Sequence, residues 1–118
     1  MQSVFIKGRF PGLNEIIGAA RTHWAKSAKD KKTHTDRVVW SVGHLHPVES
    51  ADFVFTWFEI DKRRNKDNVC GGGQKYCFDG LQKAGIIKND GWQQVKSITH
   101  KFEVGEPGVL IEIMEAQG

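Results

Sequence analysis

The stretch ADFVFTWFEI, residues 51–60, decides the fold. Alternation along an extended chain sends Phe53, Phe55 and Trp57 to one side and Val54, Thr56, Phe58 and Ile60 to the other. Both sides are largely apolar, which predicts a central strand with neighbours on each edge. The flanking segments therefore have to supply the other strands and the layer that covers them.

Toward the N-terminus, SVFIKGRF (3–10) reads as an opening strand, with Val4 and Ile6 on one face and Phe5 and Lys7 on the other. Pro11 and Gly12 break it. LNEIIGAARTHW then places Leu13, Ile16, Ile17, Ala20 and Trp24 at helical spacing, with Gly18 as a weak point. Residues 25–45 predict a second helix, basic in its first half and packed through Val38, Val39 and Val42 in its second, with Trp40 nearby. Pro47 closes that segment, because it lacks an amide donor and restricts His46.

Toward the C-terminus, the pattern is helical from Gln74, with Cys77, Leu81 and Ala84 on an apolar stripe flanked by Phe78 and Gly85. Lys75, Asp79 and Gln82 lie on a polar stripe. Gly85 suits the helix stop, and KNDGW (88–92) is a turn. QVKSITHKFEV and GVLIEIMEA are two strands, and the short GEPG link predicts a hairpin between them. The expected order is β-α-α-β-α-β-β. It describes a single α+β domain over residues 1–118, with a mixed sheet of about four strands and two to three helices.

Composition agrees with one globular domain: 118 residues, 39% hydrophobic, with four Trp and seven Phe for a core. No apolar run approaches the ~20 residues of a membrane span. The opening MQSVFIKGRF lacks the continuous apolar run of a secretory leader, so a cytoplasmic protein is expected. Cys70 and Cys77 would be ~10 Å apart on one helix, too far for a disulfide. Two isolated cysteines make a poor zinc site, so two free thiols are expected.

The net charge is only +3, but it is unevenly placed. Residues 21–37 hold six Lys or Arg against two Asp, and residues 101–118 hold one Lys against four Glu. A basic front and an acidic back suit a polyanionic partner, and charge alone fits a solvated surface equally well. The densest basic run is KRRNKDNV (62–69): Lys62, Arg63, Arg64 and Lys66 surround Asp67, with Asn65 and Asn68 between. Asp67 follows the central strand, Lys75 begins the polar stripe of the next helix, and Asp90 sits in the turn after it. If that strand-helix-turn path returned on itself, the two carboxylates could share Mg²⁺, whose bound water attacks a phosphodiester. Lys75 would stabilise the added negative charge, and the basic run would grip flanking phosphates. Aspartates in turns more commonly bond nearby backbone amides, and Lys75 with Asp79 makes an ordinary surface pair.

The remaining features are weaker. The glycines at 71–73 are not followed by the Gly-Lys-Ser/Thr of a phosphate loop; they read as a flexible turn before the helix, with close approach of DNA to the backbone as the alternative. His44 and His46 flank an exposed loop position, and His23, His34 and His100 stand singly. Trp92 is expected to anchor its turn in the core, with stacking on an exposed base as the alternative.

DKRRNKDN, followed by QKYCFDGLQKAGIIKNDGWQQV, resembles the core of the RusA family of Holliday-junction resolvases. In that family a basic run precedes Asp-x-Asp-Asn. A helix with a lysine, an FDAL-like run and Lys-Ala-Gly follows, then an acidic pair near a turn. The resemblance spans nearly the whole chain, from PGLNE to the last strands, and its specific motifs lie in 61–92. It implies a Mg²⁺-dependent endodeoxyribonuclease, with Mn²⁺ able to substitute, that resolves four-way junctions in recombination and repair. A homodimer and frequent phage or prophage origin are also implied. Carried over, Asp67 is the second motif aspartate, Asn68 the asparagine after it, and Lys75 the catalytic lysine once 70–73 is treated as an insertion. Asp79 is the FDAL-like aspartate and Asp90 the last catalytic carboxylate. Asn65 stands where the family has its first aspartate, so one metal-binding charge is missing. A junction binder with weakened or lost cleavage is the implied alternative.

Overall fold

The computed structural model describes residues 1–22 and 24–116, so His23 lies outside the described residues. The elements are β1 (Gln2–Lys7), α1 (Leu13–Thr22), α2 (Trp24–Val42), β2 (Ala51–Glu59), α3 (Lys66–Lys83), β3 (Val95–Val104) and β4 (Gly108–Glu115). This is the expected order, in one four-stranded mixed sheet with strand order β1-β4-β2-β3.

β2 is central, as its two apolar faces require. It pairs in parallel with β3 and antiparallel with β4, and β1 completes the sheet against β4. Phe53 and Phe55 are fully buried and Trp57 nearly so. They share a face with Ile111, Val109, Val4 and Ile6 through the strand register. The Phe78 ring of α3 meets Phe53 and Phe55 edge-on at 5.3 and 5.4 Å between centroids, and Val38 and Val42 of α2 complete the core. The opposite face stays more open: Phe5 is 44% exposed and contacts the half-buried Phe58.

β3 and β4 are not a hairpin. β2 lies between them, and the Gly105–Pro107 link arches over its end, with the Gly105 N–H donating to the Glu59 carbonyl at 2.8 Å. Each strand gains more by pairing with the buried central strand than with the other.

A second difference positions the site. α3 begins at Lys66, eight residues before the sequence pattern becomes helical, so Cys70 and the three glycines are helix interior. The glycines were expected to form a turn because each weakens a helix by ~1 kcal/mol. Here they let α3 press closely on its neighbours. A Cβ at Gly72 would collide with the backbone of Pro11 to Leu13, and one at Gly73 with the Trp57 ring. Helix α3 ends as expected, with Ala84 as C-cap and Gly85 in the left-handed region at φ +79°.

α1 departs from expectation. None of its residues is buried, and Leu13 and Ile17 are each 41% exposed. Trp24 starts α2 rather than ending α1's apolar stripe, and both Trp24 and Trp40 face solvent. The two cysteines are free, Cys77 fully buried and Cys70 partly exposed. Burial pushes the Cys77 thiol pKa far up. Among the described residues, no helix is long and apolar enough to cross a membrane.

Candidate nucleic-acid interface

β2 and β3 run in parallel and end together, and α3 starts beside them. Their ends enclose a cleft of about 630 Å³ lined by Glu59, Asp61, Lys62, Arg64, Asn65, Lys66, Phe102 and Glu103, among others. In sheets with parallel strands, ligands bind at the carboxyl ends of the strands, where connections diverge. Here β2 has one neighbour reached through α3 and another reached over the Gly105–Pro107 link.

The basic run divides at this cleft. Arg64 turns inward, with a side chain only 15% exposed. Its Nε donates to Glu59 Oε1 at 2.7 Å and its Nη1 to the Phe10 carbonyl at 3.0 Å. Glu15 lies 3.5 Å away and is also paired with Arg9, whose guanidinium holds the Glu15 carboxyl below the usual carboxylate range. Arg64 thus ties the strand end to the segment before α1, and its charge is already matched. Lys62, Arg63 and Lys66 face outward. Arg63 is 90% exposed and only loosely paired with Asp61 at 3.4 Å. The Lys66 ammonium lies 5.6 Å from the centre of the Phe102 ring. These three side chains, not four, are free to meet phosphates.

The two asparagines also separate. Asn65 is the N-cap of α3, extended at φ −67° and ψ 149°, with no capping bond from its side chain. Asn68 is committed elsewhere: its Oδ1 accepts the Asn14 N–H at 2.8 Å and so caps α1. It holds the α1–α3 junction rather than facing DNA. Asp67 is exposed in the first turn of α3, where the helix dipole favours a carboxylate.

Lys75 lies eight residues further along α3, ~12 Å up the axis and rotated by about 80° from Asp67. It pairs with Asp79 at 3.5 Å, the ordinary i,i+4 contact. Asp79 itself is ~18 Å from Asp67 along the axis. Asp90 follows the far end of α3, near the start of β2, where the Ala51 N–H donates to the Gln94 carbonyl. The helix between Asp67 and Lys83 alone spans ~24 Å.

These positions bear on the Mg²⁺ that the resemblance implies. Asp67 and Asn65 share one end of the domain, Asp79 lies in the last two turns of α3, and Asp90 is at the other end. They do not fit one ion within a single chain. Among the described residues, no group of three or more His, Cys, Asp or Glu could hold a metal. A helix running back along the sheet could bring the two ends together, but α3 returns the chain to the start of β2 and not to Asp67 at its end. The two extra turns of α3 keep its ends apart.

Three features escaped sequence reasoning. Glu59 and Glu103 line the cleft, and only the strand register brings them there. Trp92, expected in the core, is 97% exposed. His100 joins a polar chain under the sheet: the Trp57 indole N–H donates to His100 Nδ1 at 2.9 Å, and Nε2 lies 2.7 Å from Gln74 Oε1. With Nδ1 accepting, Nε2 carries the proton and donates to Gln74. Burial lowers the His100 pKa. No family model matches the chain, and no curated protein matches it.

Proposed function

We propose that the protein acts on branched DNA in the manner of a RusA-type junction resolvase, as a cytoplasmic, Mg²⁺-dependent endodeoxyribonuclease of recombination and repair. The observation that carries this is the cleft at the ends of β2 and β3. Lys62, Arg63 and Lys66 face outward there, beside Asn65 and Asp67 at the start of α3. Cations around a carboxylate suit a phosphodiester backbone approaching an acidic site. The four-way junction as substrate rests on the resemblance of residues 61–92.

A four-way junction has two-fold symmetry, and paired cuts require two related sites, so the proposed active form is a homodimer. The more open sheet face around Phe5 and Phe58 supplies apolar surface for a second copy. Because the metal set does not fit within one chain, hydrolysis through Asp67 and Asp90 requires a second copy, and no catalytic step is assigned to one protomer.

The separation of Asp67 from Asp90, with Asn65 in place of an aspartate, favours a second function: binding junctions without cutting them. One assay separates the two. A synthetic four-way junction and a linear duplex are incubated with the wild type and Asp67→Asn, in Mg²⁺, Mn²⁺ or chelator. Paired cuts confined to the junction, lost in chelator and in the variant, support the endonuclease. Salt-sensitive junction binding with no cuts in either metal supports the binder, and no junction binding removes both.

A further inference from the structure

Trp92 presents one of the least covered large side chains in the molecule. At 97% exposure it keeps nearly its whole indole in water, although tryptophan is highly buried on average. Its turn is not a loose loop. The Gly91 N–H donates to Asn89 Oδ1 at 2.7 Å, the Val95 N–H to the Gly91 carbonyl at 2.9 Å, and the Ala51 N–H to the Gln94 carbonyl at 2.9 Å. Ile86 and Ile87, just before the turn, are buried at 3% and 1% exposure. The fold therefore holds an indole out on a fastened turn.

The surroundings of the turn identify its ligand. Lys88 and Lys96 stand on either side in sequence, both exposed, and neither forms an ion pair among the described residues. Both lysines, with Gln93 and Gln94, line a groove of about 800 Å³ at the base of the turn. An exposed aromatic ring on a turn flanked in sequence by two exposed lysines suits a nucleotide: the base stacks on the ring and phosphates meet the lysines. A paired duplex offers no free base face, whereas a branch point does.

We infer that Trp92 is a stacking platform for an unstacked nucleobase at a DNA branch, with Lys88 and Lys96 engaging the adjoining phosphates. This rests on the branched-DNA function proposed above and adds the feature that distinguishes a branch from a duplex. It also gives the Asp90 end of the domain a DNA contact separate from the basic cleft.

The test compares wild type, Trp92→Ala and Trp92→Phe for binding to a labelled four-way junction and a duplex of equal length. A second junction carries 2-aminopurine at the branch point. The expected result is a loss of junction affinity of about 5- to 150-fold in Trp92→Ala, the range of one base-aromatic stack. Duplex affinity stays unchanged, Trp92→Phe retains most of the binding, and the wild-type change in 2-aminopurine fluorescence disappears in Trp92→Ala. Junction binding by Trp92→Ala equal to wild type overturns the stacking role and leaves the branched-DNA function standing. Equal losses on junction and duplex, with an unchanged 2-aminopurine signal, also overturn it. Failure of the wild type to bind any branched DNA removes the underlying function and the stacking role together.

Discussion

Alanine placed in turn at Gly71, Gly72 and Gly73 should give opposite effects at neighbouring positions. In a helix interior Gly→Ala stabilises by ~1 kcal/mol through propensity alone. At Gly71 the new methyl would meet only Leu13, at 3.4 Å or more, which is ordinary contact. Gly71→Ala should therefore stabilise by about 0.5–1 kcal/mol. At Gly72 the methyl meets backbone, with the Gly12 carbonyl carbon at 2.9 Å and the Leu13 nitrogen at 3.0 Å. At Gly73 it meets the Trp57 ring, with Cη2 at 2.6 Å. Overpacking of this kind costs roughly 1–3 kcal/mol. Neither the backbone nor a buried indole can step aside, so the upper part of that range applies. After the propensity gain, each variant should lose about 1–2 kcal/mol. For a domain near this size, 1 kcal/mol corresponds to about 4 °C in Tm. Calorimetry should then show Gly71→Ala melting about 2–4 °C higher, and the other two about 4–8 °C lower. A rise in Tm for all three would refute the continuous α3 packed on Pro11 and Trp57, and would restore a turn at 71–73.

Three further outcomes follow from the structure. Arg64→Ala leaves Glu59 half-buried without its partner and should cost about 2–4 kcal/mol, read by urea denaturation. Lys62→Ala and Arg63→Ala should leave stability within about 0.5 kcal/mol, and each should reduce the salt slope of DNA binding by about one. Burial holds the His100 pKa below the ordinary imidazole value of about 6.5, so as pH falls it binds its proton first in the unfolded state. Its stabilising contribution is present above about pH 6.5 and is lost as pH falls toward the folded value. The urea midpoint should drop between pH 7.5 and 5.5, and less so in His100→Gln; an equal drop in both would place the effect elsewhere.

The strands and core were legible because their signal is local. Alternation in residues 51–60 and in the last strand, and the stripe of Cys77 and Leu81 flanked by Phe78, each declare a buried face within ten residues. The start of α3 was illegible because three successive glycines oppose a helix locally. What favours the helix there is close contact with Pro11 and Trp57, far away in sequence. The β3–β4 hairpin was misplaced for a related reason: a short link suggests local pairing, and the competing partner is β2, some fifty residues upstream. At the candidate site, the basic run was legible as a run but not as individual roles. Arg64 and Asn68 turn inward toward Glu59, Phe10 and Asn14, and nothing in KRRNKDNV distinguishes them from Lys62, Arg63 and Lys66. The assumption that tryptophans are buried held for Trp57 and failed for Trp24, Trp40 and Trp92.

The most direct test of the central claim is a binding titration. A four-way junction competes against a duplex of equal length, for the wild type and for a variant with Lys62, Arg63 and Lys66 all changed to Ala. The wild type should prefer the junction with a steep salt dependence. The variant should lose most of that affinity while melting at the wild-type temperature. Equal affinity of the wild type for both DNAs, or a variant that binds the junction as tightly as the wild type, would contradict it.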